Sequence, residues 1–157
     1  MHITIRQAIF SDFEQIGKVF SEENRFHVIL LPEIFQIATP IMTHEWFDEI
    51  LENADKNLLV AEHKQEIIGV ILVTIENNPD DAIYKLRRYG YIDEIIVSEN
   101  YRRQGVGKLL MKEAYAWALE KGVLEIELHV WETNNSAISF YEKLGYTTLR
   151  RTMKMRL

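Results

Sequence analysis

The sequence predicts a mixed α/β fold, a central mixed and mostly antiparallel twisted sheet of about six to seven strands flanked by about four helices. Three observations predict it. Two β-branched runs, "NLLVAEH" and "EIIGVILVTIE", are separated only by Lys64 and Gln65, which makes a hairpin. Two stretches, "GKLLMKEAYAWALEKG" and "NSAISFYEKLG", carry apolar residues at helical spacing and stop at Gly122 and Gly145. Strand and helix patterns follow one another as β-α-α-β-β-β-α-β-α-β, with no linker, repeat or low-complexity stretch between them. Residues 1–157 therefore read as a single domain.

The elements follow in order. "ITIRQA" alternates apolar and polar residues, as a half-buried strand does. Ser11 or Asp12 can cap the next helix, whose apolar stripe holds Phe13, Ile16 and Phe20. Residues 24 to 42 are interrupted by Pro32 and Pro40 and give no clear period. Thr43 caps a helix through "HEWFDEILENA", and the hairpin follows. "NNPDDAIYKLRR" is a polar surface loop, and "YIDEIIV" is the next strand. The helix after Gly107 places Leu110, Ala114, Trp117 and Ala118 on one face. "VLEIELHVW" is a strand, the helix ending at Gly145 follows, and "YTTLRRTMKMRL" closes the chain as a strand.

Composition narrows the function. The chain has no cysteine, so a thiol nucleophile, disulfides and cysteine metal sites are excluded. The five histidines share no ligand spacing, and no metal is expected. The formal net charge of −6 argues against general nucleic-acid binding and suits cationic small molecules. The first residues lack the pattern of a signal peptide, and no apolar run reaches the ~20 residues of a membrane span. A cytoplasmic protein is expected.

"RRQGVGK" lies between a strand and a helix. The first N–H groups of a helix have no internal partner and the peptide dipoles make that end partly positive, so an anion is favoured there. Gly105 and Gly107 let a ligand approach the backbone, and Arg102, Arg103 and Lys108 add charge. A P-loop is excluded, because Arg102 holds its first glycine position and Leu109 follows Lys108. A dinucleotide fingerprint is excluded by Leu110 at its third glycine position.

Arg102-x-x-Gly105-x-Gly107, after an apolar strand and opening a helix, resembles the acyl-CoA pyrophosphate loop of the GNAT superfamily of N-acetyltransferases. "NNSAISFYEKLGY", from Asn134 to Tyr146, is similar to the family's second motif. "IRQAIFSDFEQI" is similar to its opening strand and helix; residues 24 to 56 fit least.

The resemblance implies a GNAT-like fold and direct transfer of an acetyl group from acetyl-CoA to an amine, without a covalent enzyme intermediate. It implies that the backbone of Ile95 and Val97, with Ile96 between them, pairs with the pantetheine arm. It implies that N–H groups of Arg103, Gln104, Gly105, Val106, Gly107 and Lys108, beside Arg102, hold the pyrophosphate. Asn134 would also contact the cofactor, and Tyr141 would lie near the thioester sulfur and return a proton to it.

Acetyl transfer needs a neutral amine, and at pH 7 that form of a lysine-like amine is scarcer by roughly 4–5 kcal/mol. A base must remove the proton. Many family members carry a Glu two residues before the Asp93 position; here Tyr91 stands there. "YIDEIIV" instead looks like the polyamine-acetyltransferase version, which implies Asp93 as base and Glu94 as substrate anchor or substitute. Strict alternation puts Tyr91, Asp93, Ile95 and Val97 on one face and Ile92, Glu94 and Ile96 on the other; a bulge would exchange the two acids. Phe35, Trp46 and Phe47 either line an acceptor pocket or pack in the core.

The expected function is N-acetylation of a primary amine on a small cationic molecule. Two alternatives stand beside it: a CoA-binding sensor or interaction module without chemistry, and acetylation of a protein lysine or N-terminus. Expected partners are acetyl-CoA and the amine, with no nucleic acid and no membrane; a homodimer is allowed.

Overall fold

The chain reverses at Lys64 and Gln65 in the computed structural model, which describes all 157 residues. Their φ angles are 50° and 66°. Two consecutive positive values define the tight turn that matches strand twist, although neither residue is the usual Asn or Gly. This turn joins β2 (Lys56–His63) to β3 (Glu66–Asn77), with His63 opposite Glu66.

The sheet has five strands in sequence order, β1 (Thr4–Gln7), β2, β3, β4 (Arg88–Val97) and β5 (Ile126–Leu128). The first four pair antiparallel, and β5 runs parallel to β4. The count is below the six to seven expected. "YTTLRRTMKMRL" forms no strand, because no other segment of the chain hydrogen-bonds to its backbone from Thr147 onward. A period-two pattern supplies a suitable face but not a neighbour.

Four helices cover the sheet: α1 (Phe13–Leu30), α2 (His44–Glu52), α3 (Val106–Glu120) and α4 (Asn135–Lys143). On one face α1 and α2 pack Ile16, Val19, Phe20, Phe47 and Ile50 against Val60, Val70, Leu72 and Ile96. On the other, α3 packs Val106, Leu110, Met111 and Ala114 against Ile68, Ile71, Val73 and Ile92. Each fully buried aliphatic or aromatic side chain contributes about 1.5–3 kcal/mol. Phe47 is core, with no exposed surface, and Trp46 lies edge-on to Phe20 beside it.

Local signals hold in most places. The Thr43 hydroxyl accepts the Trp46 N–H at 3.2 Å and caps α2. Gly122 takes φ 76° after α3, as a left-handed terminator does. The expected cap of α1 is absent. The buried Asp12 carboxylate turns back to accept the Ile9 N–H at 2.9 Å and two Arg6 N–H groups at 2.7 and 3.0 Å. A bidentate guanidinium offers this carboxylate more than a helix amide does. The segment without a clear period divides in two: α1 runs on to Leu30, then a loop carries Pro32 and Pro40. Asn24 holds that loop to the helix, donating to the Gln36 carbonyl and accepting the Ala38 N–H.

Candidate active site

One extra residue in β4 organises the site. Leu72 opposes Glu94 and Val73 opposes Ile92, so Asp93 has no partner and forms a bulge. The bulge reverses the alternation. Ile92 is buried against α3, while Ile96 is buried against α1 and α2. Ile95 and Val97 join the α3 side. The uninterrupted alternation expected from the sequence therefore fails at Asp93, and Glu94 turns toward α1.

There Glu94 comes within electrostatic reach of two side chains from distant parts of the chain. Burial, and then the nearby Glu23 of α1 and Asp93, push its carboxyl up to about 7. Tyr141 of α4 is pushed up to about 12 by burial first, then by Glu23 and Glu94. Glu23 is raised too, by burial, against the pull of His27 and Arg102. Its oxygens lie 3.6 Å from His27 Nε2 and 3.5 Å from an Arg102 nitrogen. Glu23 was not among the residues expected; the only sequence sign of it is a Glu-x-x-x-His pair on one helix face.

Asp93 lies near Glu94 and has further neighbours of its own. Its carboxyl interacts with the Thr74 hydroxyl, Glu76 and Lys56. The residue is exposed, yet neighbouring atoms displace enough water to raise its pKa, and Glu76 adds to this. Tyr91 lies edge-on to His129 at 5.5 Å. Phe35 stacks on His27 at 4.9 Å and meets Trp131 edge-on at 5.5 Å. The structure thus joins Phe35 to Glu23 through His27 and leaves Trp46 and Phe47 inside.

Beside these groups β4 loses its neighbour. β5 pairs only with Gly90, Tyr91 and Ile92. The Ser98 N–H bonds to the Ile68 carbonyl, so alternation turns Ile96 toward β3 and the backbone of Ile95 and Val97 outward. The Val97 carbonyl accepts from Arg102 Nε at 2.9 Å. That guanidinium also lies over the Phe26 ring, 5.1 Å from its centre. Arg102 thus bridges β4 and α1 instead of pointing from the loop into solvent.

The loop beyond Arg102 presents its amides. None of the N–H groups from Arg103 to Lys108 donates to a backbone carbonyl. Arg103 has φ 60° and Gly105 φ 88°, and the Gly105 site is open where a side chain would stand. Successive amides turned this way form a concave anion nest. Arg103, Gln104 and Lys108 are exposed, and Val106 is core. Gly107 serves the packing of two helices. A Cβ there would stand 3.3 Å from the Phe140 ring, so its lack of a side chain lets α4 approach α3.

Phe140 packs toward α3 while Tyr141 faces the two glutamates. Asn134 Oδ1 accepts the Ala137 N–H at 3.1 Å and caps α4. The Tyr115 and Tyr146 hydroxyls are buried close to each other, and burial raises the pKa of both. Open amides and an outward strand edge fit a ligand with a diphosphate and an amide-bearing arm. A separate hollow of about 620 Å³, between α1 and Ala38–Met42, contains none of these groups.

Residues 18–146 match the Acetyltransferase (GNAT) family. The chain belongs to the GNAT acetyltransferase family. Members of this family use acetyl-CoA as the acetyl donor. Among its relatives, this GNAT chain is 31% identical over 155 residues to an N-alpha-acetyltransferase of Sulfurisphaera tokodaii, covering 93% of this chain and 81% of that one. It is 28% identical over 121 residues to the L-ornithine N5-acetyltransferase of Arabidopsis thaliana, covering 76% and 51%. It is 29% identical over 131 residues to human N-alpha-acetyltransferase 30, covering 79% of this chain but only 34% of the human protein. The chain thus spans about a third to a half of several curated relatives. A mutant of the BH1408 protein of Bacillus halodurans shares the fold with TM-score 0.92 at 24% identity, covering 98% of this chain and 99% of that one. No helix is long and apolar enough to cross a membrane.

Proposed function

We propose that the protein transfers an acetyl group from acetyl-CoA to a primary amine of a small, multiply cationic molecule, with Glu94 as base and Tyr141 as proton donor. One observation carries the reading: the bulge at Asp93 turns Glu94, whose carboxyl is held near 7, onto the same face as Tyr141.

The residues divide the work. The amides from Arg103 to Lys108 would hold the diphosphate, with the Arg103 and Lys108 side chains near it. The outward backbone at Ile95 and Val97, with Ile96 fixing the strand to β3, would align the arm as an added strand. Asn134, whose Oδ1 already caps α4, would offer its NH₂. Acetyl-CoA supplies the activated acyl group.

Glu94 accepts a proton from the ammonium, directly or through water, and leaves a nitrogen lone pair free to attack. A carboxylate near 7 suits this step, since it is both substantially ionised at neutral pH and basic enough to take the proton. The N–C bond forms and the C–S bond breaks, and the second proton that the nitrogen then sheds passes through water to restore the Tyr141 hydroxyl. Tyr141 donates to the departing sulfur. Its raised pKa keeps the hydroxyl protonated until then. Protonation of Glu94 removes one of the charges that hold Tyr141 up, so the first proton transfer readies the second.

Glu23, Glu94 and Asp93 give the site three carboxylates, with the aromatic rings of Phe35, Trp131 and Tyr91 around them. Such a site favours an acceptor with a second cation. The relatives named N-alpha-acetyltransferases support a second reading, a peptide N-terminus. An α-amine has a pKa of about 7.7–8 against about 10.4 for an alkylamine, so it needs much less help from a base. Three acids exceed that need.

The test is thiol release with matched acceptors: a linear diamine, a monoamine of equal length and a peptide. The proposal expects the diamine to have the highest kcat/KM, and Glu23→Gln to erase its advantage over the monoamine. Preference for the peptide would move the assignment to N-termini. Acetyl-CoA binding without turnover of any amine would leave the sensor reading in its place.

A further inference from the structure

The bulge at Asp93 has a second effect on β4. Ile92 is buried on the α3 side, so its neighbour Tyr91 faces the other way, onto the face that Glu94 and Ile96 share beyond the bulge. Strict alternation would have set Tyr91 and Glu94 on opposite faces. The segment after β5 reaches this shared face twice. His129 meets the Tyr91 ring edge-on at 5.5 Å, and Trp131 meets Phe35, which stacks on His27 beside Glu23. One wall thus runs from Glu23 to Tyr91, on the side of the sheet where Glu94 lies.

At the Tyr91 end stands a cation without an anion. A guanidinium nitrogen of Arg150 lies 3.1 Å from His129 Nε2. A guanidinium has only donors, so the imidazole nitrogen accepts. That contact holds Arg150 in place without neutralising it. Arg150 forms no ion pair, and Arg87 already occupies the nearby Glu125 and Glu127. The Tyr91 hydroxyl senses both signs of charge: burial raises its pKa first, Asp93 adds to the rise and Arg150 opposes it. A carboxylate and a free guanidinium thus stand within reach of one phenol.

An unpaired arginine beside three carboxylates weakens the pull on a substrate that is cationic throughout. It strengthens the pull on one that also carries an anion. We propose that Arg150, positioned by His129, binds a carboxylate of the acceptor, so that the substrate is a small diamino acid. Its reacting amine lies at Glu94, its second ammonium among the remaining acids of the site, and its carboxylate at Arg150. The planar fork of a guanidinium grips a carboxylate through two parallel N–H···O bonds, which a lysine cannot copy. The inference rests on the acetyl-transfer reading and deepens it: the acids select amines, and Arg150 selects among them those that carry a carboxylate.

Thiol release with three acceptors of one carbon skeleton tests it: lysine, lysine amide and cadaverine. Only lysine has the carboxylate, and it is expected to have the highest kcat/KM. Arg150→Gln is expected to lower that value about 10- to 100-fold, mainly through KM, as loss of a charged hydrogen-bonded pair does. The same variant should leave the other two acceptors unchanged, which also shows that it folds. His129→Ala should weaken lysine alone, by less than Arg150→Gln does. A wild-type preference for cadaverine over lysine overturns the proposal. So does an equal loss with all three acceptors, or a raised KM for acetyl-CoA, which would assign the guanidinium to the donor. If no acceptor is turned over, the acetyl-transfer reading fails by itself. Calorimetry of lysine against the protein loaded with CoA then decides the present inference, and binding that Arg150→Gln does not weaken overturns it.

Discussion

Ile92 and Ile96 lie four residues apart on one strand yet are buried on opposite faces of the sheet, Ile92 against α3 and Ile96 against α1 and α2. An uninterrupted strand would put both on one face. The unpaired Asp93 makes the difference, and the same single insertion turns Glu94 toward Glu23 and Tyr141.

Glu94 carries a stability cost that follows from its place. Its carboxyl has an ordinary value of 4.5 and stands near 7 in the fold. The folded state thus binds this proton more tightly than the unfolded chain. Stability is lost as pH rises from about 4.5 to about 7 and is not regained above that. Glu94→Gln removes the penalty. Thermal melts should give equal stability for the two proteins near pH 4, and an advantage of about 1–3 kcal/mol for the variant at pH 8. The same variant should lose about 10²–10⁴-fold in kcat. A variant that is inactive and no more stable at pH 8 would remove the buried charge from the explanation.

Initial rates should rise with pH through about 7 as Glu94 loses its proton, then level off. Asp93→Asn should lower the midpoint of this rise less than Glu23→Gln does, because Glu23 perturbs Glu94 more than Asp93 does. Glu23→Gln should move the midpoint down. A profile indifferent to Glu23 would separate that residue from the base.

Tyr141→Phe removes a hydroxyl and leaves the ring that packs in α4. The expected effect is a fall of about 10²-fold or more in kcat, with acetyl-CoA binding by calorimetry little changed. Equal losses in binding and turnover would mark Tyr141 as a cofactor contact instead of a proton donor.

Gly69→Ala should be felt at the site from the far side of β4. A Cβ at Gly69 would stand 2.9 Å from the Ile96 carbonyl oxygen and 3.3 Å from Leu110. The carbonyl belongs to the strand and cannot swing away alone. A loss of about 1–3 kcal/mol is expected in urea titration, with weaker acetyl-CoA binding as β4 shifts. Unchanged stability would mean that β3 and β4 can part at little cost.

The hairpin offers the opposite result. Lys64 and Gln65 hold left-handed φ angles, each of which costs a residue with a side chain roughly 1–2 kcal/mol. Lys64→Asn with Gln65→Gly suits the same turn without that strain. The double variant should unfold at higher urea with activity intact. No gain would place compensating contacts at the turn.

Much of this protein is legible in its residues because the signals are local. Thr43 caps a helix through its own hydroxyl, Gly122 ends one by taking a left-handed φ, and a two-residue gap between β-branched runs can only be a tight turn. The family motifs are of the same kind, since a diphosphate loop is made by one short run of backbone. What period and spacing could not reveal depends on register. A bulge is one residue of mismatch between two strands, and it appears only when Leu72 and Val73 are set opposite Glu94 and Ile92. Glu23 gained its place because a helix from elsewhere in the sequence packs over that bulge. The terminal segment shows the converse case: its alternation reads as a strand, but a strand exists only when a second backbone completes its hydrogen bonds, and within this chain none does.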